Sequence, residues 1–134
     1  MFVQLYTDGA CRGNPGPAGI GYVILDRSGD ELQAVGEAIG HATNNIAEYT
    51  ALVRGLERCR LLGATEVEVV SDSELLVRQM TGVYRVKNQR IRELFRQAGD
   101  LVDSFEKVEF RHVLRDENQQ ADGLASGVLR GSRD

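Results

Sequence analysis

Apolar positions recur along this chain with two different periods, and the change of period divides it. Phe2 to Thr7 is apolar and aromatic-rich and runs into Asp8-Gly9, a turn signal. Gly13-Asn14-Pro15-Gly16-Pro17 is a dense cluster of turn formers. Gly19 to Leu25 reads as a second strand, Asp26 to Asp30 as a turn, and Glu31 to Ile39 as a third strand. Short turns between consecutive strands predict an antiparallel meander. From Asn45 the spacing becomes helical through Ile46, Tyr49, Leu52, Leu56, Cys59 and Leu62, and Gly63 ends it. Glu66 to Val70 reads as a fourth strand, and Ser71-Asp72-Ser73-Glu74 opens a short helix that stops at Gly82. A helix from about Asn88 to Phe105 carries Ile91, Leu94, Phe95, Ala98, Leu101 and Val102 on one stripe. Val108 to Leu114 alternates as a fifth strand, and Asn118 to about Leu129 forms the last helix.

The order βββαβααβα predicts an α/β fold, a mixed five-stranded sheet flanked by helices. Strand-helix-strand connections need parallel crossovers, so strands four and five are expected to run parallel to strand one. Residues 1–129 read as one domain and 130–134 as a short C-terminal tail.

Composition narrows the class. The 134 residues are 42% hydrophobic and 27% charged, ordinary globular usage that excludes a disordered tail protein. No apolar run approaches the ~18–20 residues of a membrane span, and no signal peptide precedes the first strand. Two cysteines, Cys11 and Cys59, are too few for a disulfide scaffold and lack metal-finger spacing. A cytoplasmic protein with reduced thiols, acting as a monomer, is the expectation. The net charge of -4 does not advertise a polyanion binder.

Four carboxylates change that picture, because each is expected at the end of an element. Asp8 closes strand one, Asp72 follows strand four, and Glu48 lies in the first turn of the long helix. Asp122 lies near the start of the last helix. Each has an ordinary explanation: an Asp-Gly turn for Asp8, a cap partnership with Asn45 for Glu48, a helix cap for Asp72, a solvated helical acid for Asp122. Adjacent parallel strands one and four would bring Asp8 and Asp72 to one sheet edge, where such sheets gather their binding sites. A self-repelling carboxylate cluster there calls for cations, and hard divalent ions with oxygen ligands, chiefly Mg2+, suit it. Two such ions ~3.5–4 Å apart can clamp the attacking and leaving oxygens of a phosphoryl displacement.

Four segments carry a family resemblance. They are Tyr6-Thr7-Asp8-Gly9-Ala10-Cys11 with Gly13-Asn14-Pro15-Gly16, Thr43-Asn44-Asn45 with Ala47-Glu48, Ser71-Asp72-Ser73, and Asn118 with Ala121-Asp122. Together, on this order of elements, the chain resembles type 1 ribonuclease H over nearly its whole length. The resemblance implies the ribonuclease H-like fold and an endonuclease that cuts the RNA strand of RNA–DNA hybrids with two Mg2+ ions, or Mn2+. It implies Asp8, Glu48, Asp72 and Asp122 as catalytic metal ligands, leaving 5′-phosphate and 3′-hydroxyl ends. It also implies substrate contacts for Asn14, Thr43, Asn44 and Asn45, and for the Val86-Lys87-Asn88 segment with Asn88 as a partner of Thr43.

Between Arg78 and Arg96, six cations (Arg78, Arg85, Lys87, Arg90, Arg92, Arg96) face one acid, Glu93. That basic stretch offers a route to a polyanion despite the acidic total. The Trp-containing basic protrusion of many family members is absent, since Gly82 to Asn88 is a short link. Hybrid affinity is therefore expected from Arg85, Lys87 and their neighbours. The family's mobile histidine has two candidates: His112, expected inside strand five as a structural residue, and Arg115 as the exposed loop cation. Arginine keeps its proton, so Arg115 would steady charge or aid product release rather than shuttle protons. His41, ahead of the Thr43 motif, carries little weight as a substrate contact. Two alternatives remain open: a non-catalytic hybrid-binding module, and a same-fold nuclease acting on other duplexes. The complete tetrad weighs against the first, and Thr43-Asn44-Asn45 against the second.

Overall fold

The structure, a computed structural model, describes residues 1–130. The strands are β1 (Phe2–Cys11), β2 (Gly16–Asp26), β3 (Glu31–Ala42), β4 (Glu66–Ser71) and β5 (Lys107–His112). The helices are α1 (Asn44–Leu61), α2 (Glu74–Met80), α3 (Gln89–Asp103) and α4 (Gln119–Arg130), with a 3-10 turn over Arg115–Glu117. One sheet of order β3-β2-β1-β4-β5 is antiparallel across its first three strands and parallel from β1 to β4 to β5. The expected architecture is therefore the one observed. Arg130 belongs to α4 rather than to a tail, and residues 131–134 lie outside the described residues.

Several element ends differ from the sequence reading. β1 does not stop at Asp8-Gly9 but runs to Cys11, because β2 pairs with it as far as Ala18 opposite Cys11. Cross-strand pairing outweighs the local turn preference of Asp-Gly, so the reversal falls at residues 12–15. By the same ladder β2 begins at Gly16 and β3 reaches Ala42, three residues beyond each expected end. β5 ends at His112, two residues short, and Ser104 caps α3 one residue before Phe105.

The core lies between the sheet and α1, with α2 and α3 alongside. Leu5, Ile24, Leu52, Leu56 and Val69 are fully buried there, and each such side chain contributes roughly 1.5–3 kcal/mol of transfer free energy. On the opposite face α4 lies almost directly on the β1-β2-β3 backbone. At Gly21 a Cβ would sit 2.3 Å from the Ala121 carbonyl oxygen, so only glycine admits the helix this close. That contact fixes the height of α4, and with it Asp122, over the sheet. Between α2 and α3 the link is only residues 81–88, with no protruding helix.

Candidate catalytic and metal site

In the parallel ladder Thr7 pairs with Ser71, so the next residues, Asp8 within β1 and Asp72 just past the end of β4, stand side by side. Glu48 reaches them from α1. Asp8, Glu48 and Asp72 each place a carboxylate oxygen within 4.8 Å of the others. Asp122 joins from the first turn of α4, lining the same cavity of about 650 Å3, which Arg115 also lines.

The ordinary explanations for Asp8, Glu48 and Asp72 do not hold locally. Thr43, not Asn45, caps α1 by accepting from Ile46 N, and the Glu48 carboxylate instead accepts from Gly9 N at 2.9 Å. Ser73, not Asp72, caps α2 by accepting from Leu76 N. Asp8 lies inside a strand rather than in a turn. Each carboxylate is thus left over for the cluster.

The cluster is electrostatically strained without cations. Burial first, then repulsion from Glu48, Asp72 and Asp122, pushes the Asp8 carboxyl up to about 9. Burial and the Asp72 charge raise Glu48 to about 8, against the opposing bond from Gly9. Burial also raises Asp72, although a hydrogen bond from the Asn118 side chain opposes the shift. Like charges this close ionise together only if cations offset them. An all-oxygen donor set of this kind fits a hard divalent ion.

Linkage gives these shifts a sign. Acids whose folded pKa is raised hold protons that the unfolded chain has released, so their contribution to stability falls as pH rises through the window between. For Asp8 that window runs from the ordinary 3.8 to about 9. Melting curves in chelator are therefore expected to fall from pH 5 toward pH 9, and divalent cation to restore much of the loss at the alkaline end. A metal-free melting temperature that stayed flat in wild type and in Asp8→Asn alike would contradict this electrostatic picture.

Asn118, quoted from sequence only as part of a family motif and given no role there, supports the site. It is 2% exposed, donates Nδ2 to the Thr7 carbonyl at 2.8 Å, and bonds the Asp72 carboxylate. Its own carbonyl receives Asp122 N. The side chain therefore ties β1 to Asp72, and the backbone carbonyl of the same residue holds the start of α4. The only available signal was its place in the motif with Ala121 and Asp122.

Asn14, Thr43, Asn44, Asn45 and Asn88 do come together, around a second cavity of about 530 Å3. Asn14 Oδ1 accepts from Asn44 N, and Asn88 Oδ1 accepts from Arg90 N and Ile91 N, which turns the amide NH2 of each outward as a spare donor. Asn44 lines both cavities, linking them. Arg90, not singled out as a contact from sequence, also lines the second cavity, whereas Arg85 and Lys87 do not. Arg85 lies on a separate groove with Tyr84, Arg92 and Phe95, and Lys87 is exposed.

The basic stretch is narrower than its composition suggested. Arg78 pairs with Glu74, and Arg96 with both Glu93 and Asp100. Among the described residues only Arg85, Lys87, Arg90 and Arg92 of that stretch carry no ion pair. His112 is in strand five as expected but solvent-exposed at its last position, so a packed structural role does not hold. Arg115 opens the 3-10 turn with its side chain 82% exposed, and its guanidinium lies 3.8 Å from Asp122 Oδ1.

A mixed five-stranded sheet with clustered acids where β4 ends beside β1 defines an α/β scaffold whose site could hold divalent cations. Residues 6–128 match the reverse transcriptase-like family model. The chain is 38% identical to the crystal structure of RNase H1 from the archaeon Halobacterium salinarum, with a TM-score of 0.96, covering 98% of this chain and 100% of that one. LC11-RNase H1, solved in complex with RNA/DNA hybrid, is 42% identical with a TM-score of 0.93, covering 98% of this chain and 99% of that one. A bifunctional protein of Mycobacterium tuberculosis is 42% identical over 130 residues, 96% of this chain but 36% of that protein. The chain also spans 64% of the length of the Halobacterium salinarum ribonuclease HI, to which it is 39% identical over 95% of its own length. The chain belongs to the reverse transcriptase-like family and, within it, to the type 1 ribonucleases H.

Proposed function

We propose that the chain hydrolyses the RNA strand of RNA–DNA hybrids at internal positions, giving 5′-phosphate and 3′-hydroxyl ends, and that two Mg2+ ions serve it, with Mn2+ as a substitute. The observation that carries this reading is the trio Asp8, Glu48 and Asp72, three buried or half-buried carboxylates within 4.8 Å with Asp122 beside them. Asp8, Glu48, Asp72 and Asp122 would hold the Mg2+ ions, which would lower the pKa of a water to give a hydroxide nucleophile and would offset charge on the phosphate oxygens. Asp8, the most buried of the four acids and flanked by Glu48, Asp72 and Asp122, would be one of the residues that hold the ions. Gly9 N–H and the Asn118 amide hold Glu48 and Asp72 in their orientations, so the donors are preorganised before substrate arrives. Every one of these groups comes from one copy of the chain.

The second cavity, with its asparagine NH2 donors, Thr43 and Arg90, suits sugar and phosphate oxygens of the same duplex. Matched RNA–DNA, RNA–RNA and DNA–DNA duplexes, each labelled on either strand, test the reading with Mg2+ and then Mn2+. Cutting confined to the RNA of the hybrid supports it; equal cutting of DNA–DNA would favour a same-fold DNA nuclease. Hybrid binding without turnover would favour a binding module.

Three predictions arise here. Arg85→Ala with Lys87→Ala should raise KM more than it lowers kcat, and should flatten the salt slope of binding by about one unit per lost phosphate contact. An unchanged slope would shift the footprint to Arg90 and Arg92. Arg115→Ala should lower kcat by ~10–100-fold with melting unchanged, because its guanidinium faces the cluster but supports no packing. His112→Ala, at an exposed position, should change stability by no more than about 0.5 kcal/mol and leave kcat near wild type. Melting curves and single-turnover rates on both variants decide between the two residues.

A further inference from the structure

We propose that the catalytic cleft continues along α4 into a second phosphate subsite, built by Arg12, Ser126 and Arg130, which grips the RNA strand about two nucleotides from the cut. This rests on the hybrid-cleavage reading above. The cavity that holds the four carboxylates is also lined by Arg12, Ser126 and Arg130. Asp122, Ser126 and Arg130 are spaced four residues apart on α4, so they stand one above another on the face that meets the cavity. Eight residues of helix carry Arg130 ~12 Å along the axis from Asp122. Phosphates of an A-form strand follow one another every ~6 Å, so that offset reaches past the neighbouring phosphate to the next.

Arg12 arrives from the β1–β2 reversal. Its Nη2 donates to the Leu129 carbonyl at 2.5 Å, one of the last-turn carbonyls that α4 cannot satisfy itself. A guanidinium has five N–H donors in a rigid fork, so this anchor leaves most of them for a ligand while fixing the group in place. Among the described residues neither Arg12 nor Arg130 forms an ion pair with an acid. At the opposite end of α4, Arg115 stands 3.8 Å from Asp122. The cleft is therefore lined by a cation, the carboxylates, a hydroxyl and two further cations. A polyanion laid along it would meet a counter-charge at each end, with the reacting phosphate at the acids between them. Because the strand at the acids is the one cut, the subsite reads the RNA strand.

The test walks a single methylphosphonate, a neutral replacement for one phosphate, along the RNA strand of a hybrid and measures kcat/KM. Wild type is expected to lose about tenfold when the second phosphate on one side of the cut is neutralised. Arg12→Ala with Arg130→Ala should lose about tenfold on unmodified hybrid and show little further loss at that phosphate. Arg12→Ala also removes the anchor on α4, so Ser126→Ala with Arg130→Ala, which keeps it, should show the same position-specific coupling at smaller size. A penalty at that phosphate that is equal in wild type and variants, or no penalty at any position, would overturn the subsite and leave Arg12 as a helix anchor alone. A wild-type chain that cuts no unmodified hybrid overturns the hybrid-cleavage reading itself, and the subsite with it.

Discussion

Asp8→Asn is expected to reduce hybrid cleavage by roughly three orders of magnitude or more while the fold melts at or above the wild-type temperature. Both effects follow from one charge. Asp8 is 4% exposed and faces three other carboxylates, so replacing it with a neutral isostere relieves repulsion in the metal-free chain. The same change removes one of the three carboxylates that lie within 4.8 Å of one another, and saturating Mg2+ cannot restore a missing ligand. Calorimetric melts in chelator and single-turnover cleavage at high Mg2+ measure the two halves separately. Near wild-type cleavage by this variant would falsify the assignment of the acids as the metal site.

Gly9→Ala is expected to damage stability and activity together. A Cβ at this position would lie 2.5 Å from the Glu48 backbone nitrogen and 2.6 Å from the Ala47 carbonyl carbon. Both are helix backbone atoms that yield only if α1 shifts off β1. Overpacking of this kind costs about 1–3 kcal/mol, and here it also displaces the residue whose carboxylate Gly9 N–H holds. The variant should melt lower and should lose kcat even at temperatures where it is fully folded. Loss of stability with an unchanged kcat per folded molecule would mean that Glu48 tolerates the shift.

The same two residues mark how far the sequence could be read. Asp8-Gly9 has the local signature of a turn, yet Gly9 is there for a close helix contact and the strand runs through it. Local preference cannot report an approach by a helix nearly 40 residues away. Element order and sheet topology were legible because each period change is long and strong. The convergence of Asp8 and Asp72 was legible because parallel strands put their ends together. The role of Asn118 was not legible, since burial, not residue type, gives an asparagine its partners. Charge counting overstated the basic stretch for a similar reason: Glu74 and Asp100 lie outside or beside it in sequence but neutralise Arg78 and Arg96 in space. His112 read as packed from its place in the alternation, but β5 is an edge strand, and its last position faces water.

The central claim is that the carboxylate cluster delivers water to a phosphate of the RNA strand, and the origin of the oxygen in the product tests it most directly. Hybrid is cleaved with Mg2+ in water enriched in heavy oxygen, and the fragment ends are analysed by mass spectrometry. The account predicts a 5′-phosphate that carries one heavy oxygen, a 3′-hydroxyl with none, and no product in chelator. Fragments ending in a 5′-hydroxyl and a 2′,3′-cyclic phosphate, formed equally well without divalent cation, would show attack by the neighbouring 2′-hydroxyl and contradict it.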